Sequence, residues 1–190
     1  MTDPRVEEIL GFWLGGLTDK DKIAPGDAMV RRWFVADEKL DAAIRERFGA
    51  DVEKAAGGQL DSWRDDPRGR LALIILCDQF SRNIFRDTAR MYATDPLALE
   101  LSLSSVEDGT DSRLTLIERK FIYMPLMHSE DISVQELSVR CFKKLVAASR
   151  TVCPCNTPYY EYTLGYARKH HDDVKRDGRF VYRDKILKRV

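Results

Sequence analysis

The feature that most constrains this chain is an apolar run broken by charge between Asp66 and Asp95: D-P-R-G-R-L-A-L-I-I-L-C-D-Q-F-S-R-N-I-F-R-D-T-A-R-M-Y-A-T-D. Asp66-Pro67 reads as a helix start, because proline in the first turn sacrifices no hydrogen bond and arrives with φ preset. From Leu71 to Leu76 every residue is apolar, so this helix is wrapped by core on all sides instead of lying on a surface. Asp78, Gln79, Arg82, Asn83 and Arg86 follow at once. Asp78 with Arg82, and Gln79 with Asn83, have the i, i+4 spacing of one helix face. A charge buried alone costs several kcal/mol. The cluster therefore calls for partners, and the segments 123–131 and 179–183 carry complementary groups.

The rest of the chain reads as helices with capping signals. Asp3-Pro4 opens a first helix through Val6, Ile9, Leu10 and Trp13, ended by Gly15-Gly16. Met29, Val30, Trp33 and Phe34 form a second short apolar face. Asp37 caps a third helix with Leu40, Ile44 and Phe48, closed by Gly49. Asp95-Pro96 is another cap-plus-proline start, for a helix that stops at Gly109. Asp111 or Ser112 caps the next, through Leu114, Ile117, Phe121 and Met124, with Pro125 ending it soon after. Ser133 and Glu136 form a capping box before Leu137, Cys141 and Leu145. Thr157-Pro158 opens a long helix through Tyr162, Tyr166 and His170 to Gly178, and the tail packs back through Phe180, Ile186 and Leu187. No stretch alternates like a strand. The expectation is one all-α domain over residues 1–190, built from stacked helical hairpins.

Lys plus Arg equals Asp plus Glu at 31 each, so no global charge draws the chain to nucleic acid or membrane. The charge is uneven, however: Arg168–Val190 holds nine basic and four acidic residues, a net of +5. A basic tail docking on an acidic body is the simple reading of this asymmetry. No stretch approaches the ~18 apolar residues of a membrane span, and the acidic start is unlike a signal peptide. Cys77 and Cys141 fall on apolar helical runs as small core residues. Cys153-Pro-Cys155 has neither zinc-knuckle nor disulfide spacing. The cytoplasm is the expected compartment, with no metal and no cofactor.

Four motifs could carry chemistry: D-Q-F-S-R-N with Arg86; Glu118-Arg119 with Tyr123; His128-Ser129-Glu130-Asp131; and His170 with G-R-F-V-Y-R, which brings Arg179, Tyr182 and Arg183. D-Q-F-S-R-N-I-F-R, Y-M-P-L-M-H-S-E and G-R-F-V-Y-R, in this order and with W-F and R-F-G before them, resemble a bacterial family known as domain of unknown function 924. The resemblance covers nearly the whole chain. It implies a tetratricopeptide-like, all-α fold and no particular activity. The chain departs from the family pattern at Ser81, where proline is usual, and at F-V-Y-R-D, where the pattern runs Phe-Pro-His-Arg-Asn. It also has Asp173 and Asp177 near positions that are apolar in the family. Tyr182 thus stands in place of a histidine.

Each motif also has a structural reading. Asp78 with Arg82 is an ion pair locking helix contacts; Glu130 and Asp131 favour the positive end of the next helix, and His170 sits near a helix end that favours positive charge. The functional reading gathers Asp78, Gln79, Arg82, Asn83, Arg86, Tyr123, His128, Glu130, His170, Arg179 and Arg183 as a ligand site. Guanidinium forks grip carboxylate or phosphate, and histidine titrates near neutrality. No nucleophile motif, phosphate loop or metal-ligand spacing accompanies them. The first expectation is a binding module for a peptide or small anionic ligand. The alternatives are an enzyme using His128 with Glu130 or Asp78 as acid and base, and a basic tail that binds an acidic partner.

Overall fold

The computed structural model describes residues 3–189, and among these every regular element is helical. The central helix begins where its capping residue predicts. Asp66 accepts a hydrogen bond from the Gly69 amide at 2.9 Å, and Pro67 takes the first position of α4 (Pro67–Ile74). The chain continues as a π-helical turn (Ile75–Phe80) and then as α5 (Ser81–Ile84). Every residue from Leu71 to Ser81 is buried. A π turn accommodates one extra residue and leaves carbonyls in need of donors. The Cys77 carbonyl receives two, the hydroxyls of Ser81 at 2.5 Å and Thr94 at 2.6 Å. Asp78 and Gln79 emerge from this turn.

Three helices precede it. In α1 (Pro4–Leu14) the buried face is Val6, Ile9, Leu10 and Trp13, and Gly15 ends it at φ 64. The Trp33 indole of α2 (Ala28–Phe34) donates to the Trp13 carbonyl at 2.8 Å, which seats α2 against α1. The third helix, α3 (Glu38–Ala56), corrects an expectation: it runs through Gly49 and stops at Gly57. An interior glycine costs about 1 kcal/mol. Burial of Val52 and Ala55 on the face already formed by Ile44 and Phe48 outweighs that.

The C-terminal half stacks α6 (Asp95–Glu107), α7 (Leu116–His128), α8 (Ile132–Val152) and α9 (Thr157–Asp177), each against the next. Lys120 of α7 meets the Tyr159 ring of α9, and His128 meets His170, so α7 and α9 run the same way and α8 returns between them. Their starts differ from the expected ones. Thr94, not Asp95, precedes α6, which leaves the Asp95 carboxylate available for arginines. Thr115 and Glu118 form the capping box of α7, in place of Asp111 or Ser112, and Asp131 caps α8 ahead of Ser133. α7 continues three residues past Pro125. The tail closes through buried Phe180, and α10 (Asp184–Leu187) follows.

Two substitutions test this core. A Cβ on Gly69 would lie 2.5 Å from the Trp63 carbonyl oxygen, so Gly69→Ala should lower stability by forcing α4 off the preceding 3-10 turn. Leu73→Ala should cost about 2–5 kcal/mol through the cavity it leaves. Both are read from the urea midpoint against wild type, and a neutral result would misplace the helix.

Candidate ligand-binding site

Asp78 is 1% exposed, yet it is charged. Its Oδ1 lies 2.6 Å from His128 Nδ1, its Oδ2 accepts from the Gln79 amide at 2.5 Å, and Arg82 Nη1 stands 3.2 Å away. Burial alone would push its carboxyl up. The nearby Arg82 and His128, with the bonds from His128 and Gln79, overcome this and hold it well below the usual carboxylate range. Arg82 also reaches Asp95 at 3.0 Å, and Arg183, anchored by a 2.9 Å bond to the His128 carbonyl, lies 3.6 Å from Asp95. Asp95 is pushed up from its ordinary value, by burial first and by Asp78 in addition. Two carboxylates, two arginines and one histidine thus form one buried network joining α5, α6, α7 and the tail.

A second pair adjoins it. Arg86 and Asn83 both donate to Asp41 of α3, each at 2.7 Å. Glu130 accepts from the Phe180 amide at 3.0 Å and from Arg189 at 2.5 Å, which clips the tail beside the network. Arg183 and Arg189 are therefore paired inside the chain. Tyr123 stands apart, donating to Asp111 on the side facing Phe142, and Arg179 pairs at 2.9 Å with Asp184, which Arg189 also reaches at 3.0 Å.

Beside the network lies a cavity of about 420 Å³, walled by α2, the π turn with α5, α7 and α9. Gln79, Arg82, Asn83, Arg86, His128 and His170 line one end. The other end is Trp33, Phe34 and Lys120, with Met91, Met124 and Met127 contributing apolar surface. Tyr162, Tyr166 and Lys169, all exposed, add further lining from α9. Among the described residues, no aspartate or glutamate lines this cavity. Burial, with His128 close by, pushes His170 down to about 4. Among the sequence-predicted residues, Asp78, Tyr123, Glu130, Arg179 and Arg183 do not line it. A smaller cavity of about 250 Å³ lies on the far side of His128, between Asp78, Asp95, Glu130 and Arg183.

Sequence reasoning passed over Lys120. It is 1% exposed and its amine has no hydrogen-bond partner among the described residues. The ring centres of Phe121, Trp33 and Phe34 lie 4.0, 4.4 and 4.5 Å from the nitrogen. Burying an ammonium costs several kcal/mol, whereas cation–π contacts return about 2 kcal/mol. Burial wins, and the amine is held well below its usual value. A signal was present in the sequence: Lys120 is three residues after Ile117 and four before Met124, on the apolar register of α7.

These features define an all-α protein with a cation-lined cavity flanked by a buried ion network. The chain belongs to the family described as bacterial protein of unknown function (DUF924), whose profile matches residues 9–190. It is similar to a solved structure of a protein of unknown function, ATU0120 from Agrobacterium tumefaciens, at 34% identity and a TM-score of 0.77, covering 98% of this chain and 91% of that one. No match is found among curated proteins. Among the described residues no helix is long and apolar enough to cross a membrane.

Asp78→Ala should destabilise the fold by about 3–5 kcal/mol, because Arg82 is left buried beside a single carboxylate. The sign of the pH effect follows. The Asp78 carboxyl titrates lower folded than its ordinary 3.8, so its stabilisation is fully present above that value, declines below it, and is lost as pH falls through the lower folded value. The wild type and Asp78→Ala curves should converge below 3.8 in urea titrations. Lys120→Met should raise stability by about 1–3 kcal/mol, since an unpartnered polar group leaves the core. Folded Lys120 titrates below its ordinary 10.5, so its cost to the wild type should fade as pH rises toward 10.5, and the two melting temperatures should approach each other.

Proposed function

We propose that the protein binds a small molecule carrying a carboxylate or phosphate in the cavity between α2, α5, α7 and α9. The observation that carries this reading is the lining: Arg82, Arg86, His128, Lys169 and His170, with no aspartate or glutamate among the described residues. The acidic partners of Arg82 and Arg86 lie behind them, so donors face the cavity while acids do not. A volume of about 420 Å³ suits a small ligand rather than a peptide laid along a groove. The α7–α8–α9 stack, with alternate helices parallel, supports reading the scaffold as tetratricopeptide-like.

A second reading, an enzyme with His128 as acid and base, is favoured by the 2.6 Å contact of Asp78 with His128 Nδ1. A carboxylate there fixes the tautomer, with the proton on Nδ1 and the lone pair on Nε2. Glu130 does not share that role, because Phe180 and Arg189 occupy it.

A thermal-shift screen with anionic metabolites tests the binding reading. A ligand raises the melting temperature by mass action, and Lys169→Met together with His170→Phe should remove the shift while leaving the apo protein folded. An anion beside His170 favours its charged form. Since the free ring titrates at about 4, binding should take up a proton and tighten as pH falls from 7 toward 5. Shifts that survive in the double variant, or that grow with rising pH, would move the site elsewhere.

A further inference from the structure

We propose that the Lys120 amine captures a carbonyl compound as an imine, and that its partner is an aldehyde with an apolar spacer and an anionic group at the far end. The anionic end rests on the reading of the cavity given above; the capture step does not. Three observations support the step. Lys120 lines the cavity, and its amine is buried and makes no hydrogen bond among the described residues that a reaction would have to break. Tyr159 has a buried hydroxyl that also lacks a partner, on a ring centred 5.8 Å from the amine. Trp33, Phe34 and Phe121 surround the amine with apolar surface, which disfavours the ammonium and excludes the water that would reverse condensation.

The chemistry closes without a further reagent. The nitrogen lone pair attacks the carbonyl carbon, and the π electrons pass to oxygen. A proton moves from nitrogen to that oxygen. Loss of water then leaves the carbon–nitrogen double bond. An exposed lysine is far less able to start this, since at pH 7 only about 1 in 2,500 carries a free lone pair.

The dimensions set the ligand class. Lys120 and His128 lie eight residues apart on one helix, about 12 Å along its axis. Met124 and Met127 cover the interval with apolar surface, and His128, Arg82 and His170 wait beyond it. A carbonyl at Lys120 and an anion at His128 must therefore be joined by an extended apolar chain. Phe34, 50% exposed, lies over the amine from the solvent side and sets how readily such a chain enters.

The test is reductive trapping at pH 7 with azelaic semialdehyde and cyanoborohydride, followed by mass mapping of the modified peptides. The reagent's hydride and a proton from water convert the imine to a stable secondary amine. Modification at Lys120 should exceed that at every exposed lysine, be lost in Lys120→Arg, and be faster in Phe34→Ala. Nonanal, without the carboxylate, and glyoxylate, without the spacer, should trap less. Labelling spread evenly over surface lysines, with none at Lys120 in either the wild type or Phe34→Ala, would overturn the proposal. Azelate, which cannot form an imine, is titrated calorimetrically in parallel. Azelate binding without trapping at Lys120 overturns the capture step and leaves the anion site standing. Trapping at Lys120 that nonanal matches, with no azelate binding, supports the amine and overturns the anionic far end.

Discussion

A carboxylate that keeps its charge with almost no contact with water is the constraint on which this structure turns. Asp78 sits in a turn whose neighbours on both sides are buried, and the hydration it loses must be replaced atom for atom. The replacements come from the next helical turn, from the last residue of α7 and from an adjacent amide. Arg82 then needs more than one acid and draws in Asp95, whose own carboxylate draws in Arg183 from the tail. Each demand recruits a more distant segment. One buried charge thereby brings together pieces of chain that a hydrophobic core would hold only loosely in register.

The cavity shows the opposite treatment of a buried group. Lys120 is given aromatic faces and no acceptor among the described residues, so burial pulls its amine well below its usual value instead of pairing it. Both groups lie on the elements that wall one space, where the network supplies rigidity and the lysine is a tolerated defect. A costly residue beside an open volume is what a stability–function trade-off looks like. The parallel course of α7 and α9 matters here, because it sets Lys120 against Tyr159 at one end and His128 against His170 at the other.

Much of this was legible in the sequence, and the misses have physical causes. The buried helix could be read because Asp66-Pro67 and the unbroken run Leu71–Leu76 leave no other assignment. The need for partners to Asp78 could be read from the cost of an unpaired charge, and His128 and Arg183 were among the residues singled out. The end of α3 was missed because a local glycine penalty was weighed without the tertiary burial beyond it. The start of α6 was missed because Thr94 had been given no task, whereas its hydroxyl serves the π turn. Tyr123 was drawn into the site by proximity in sequence, but its hydroxyl has an acid of its own in Asp111. Lys120 was invisible to a search for charged clusters, since its surroundings are rings contributed by α2 and α9 together with its neighbour Phe121.

The π turn has a consequence for how chains of this kind can vary. It holds one residue more than a regular helix would, and that surplus fixes the rotational phase of everything after it. Losing a single residue there would turn Arg82, Asn83 and Arg86 by about 100° about the axis, away from Asp95 and Asp41, while the upstream core stayed where it is. The turn acts as a one-residue vernier between a packed interior and a polar wall. Substitutions can tune the cavity residue by residue, but a change of length between Ile75 and Phe80 would uncouple the wall from the core in one step.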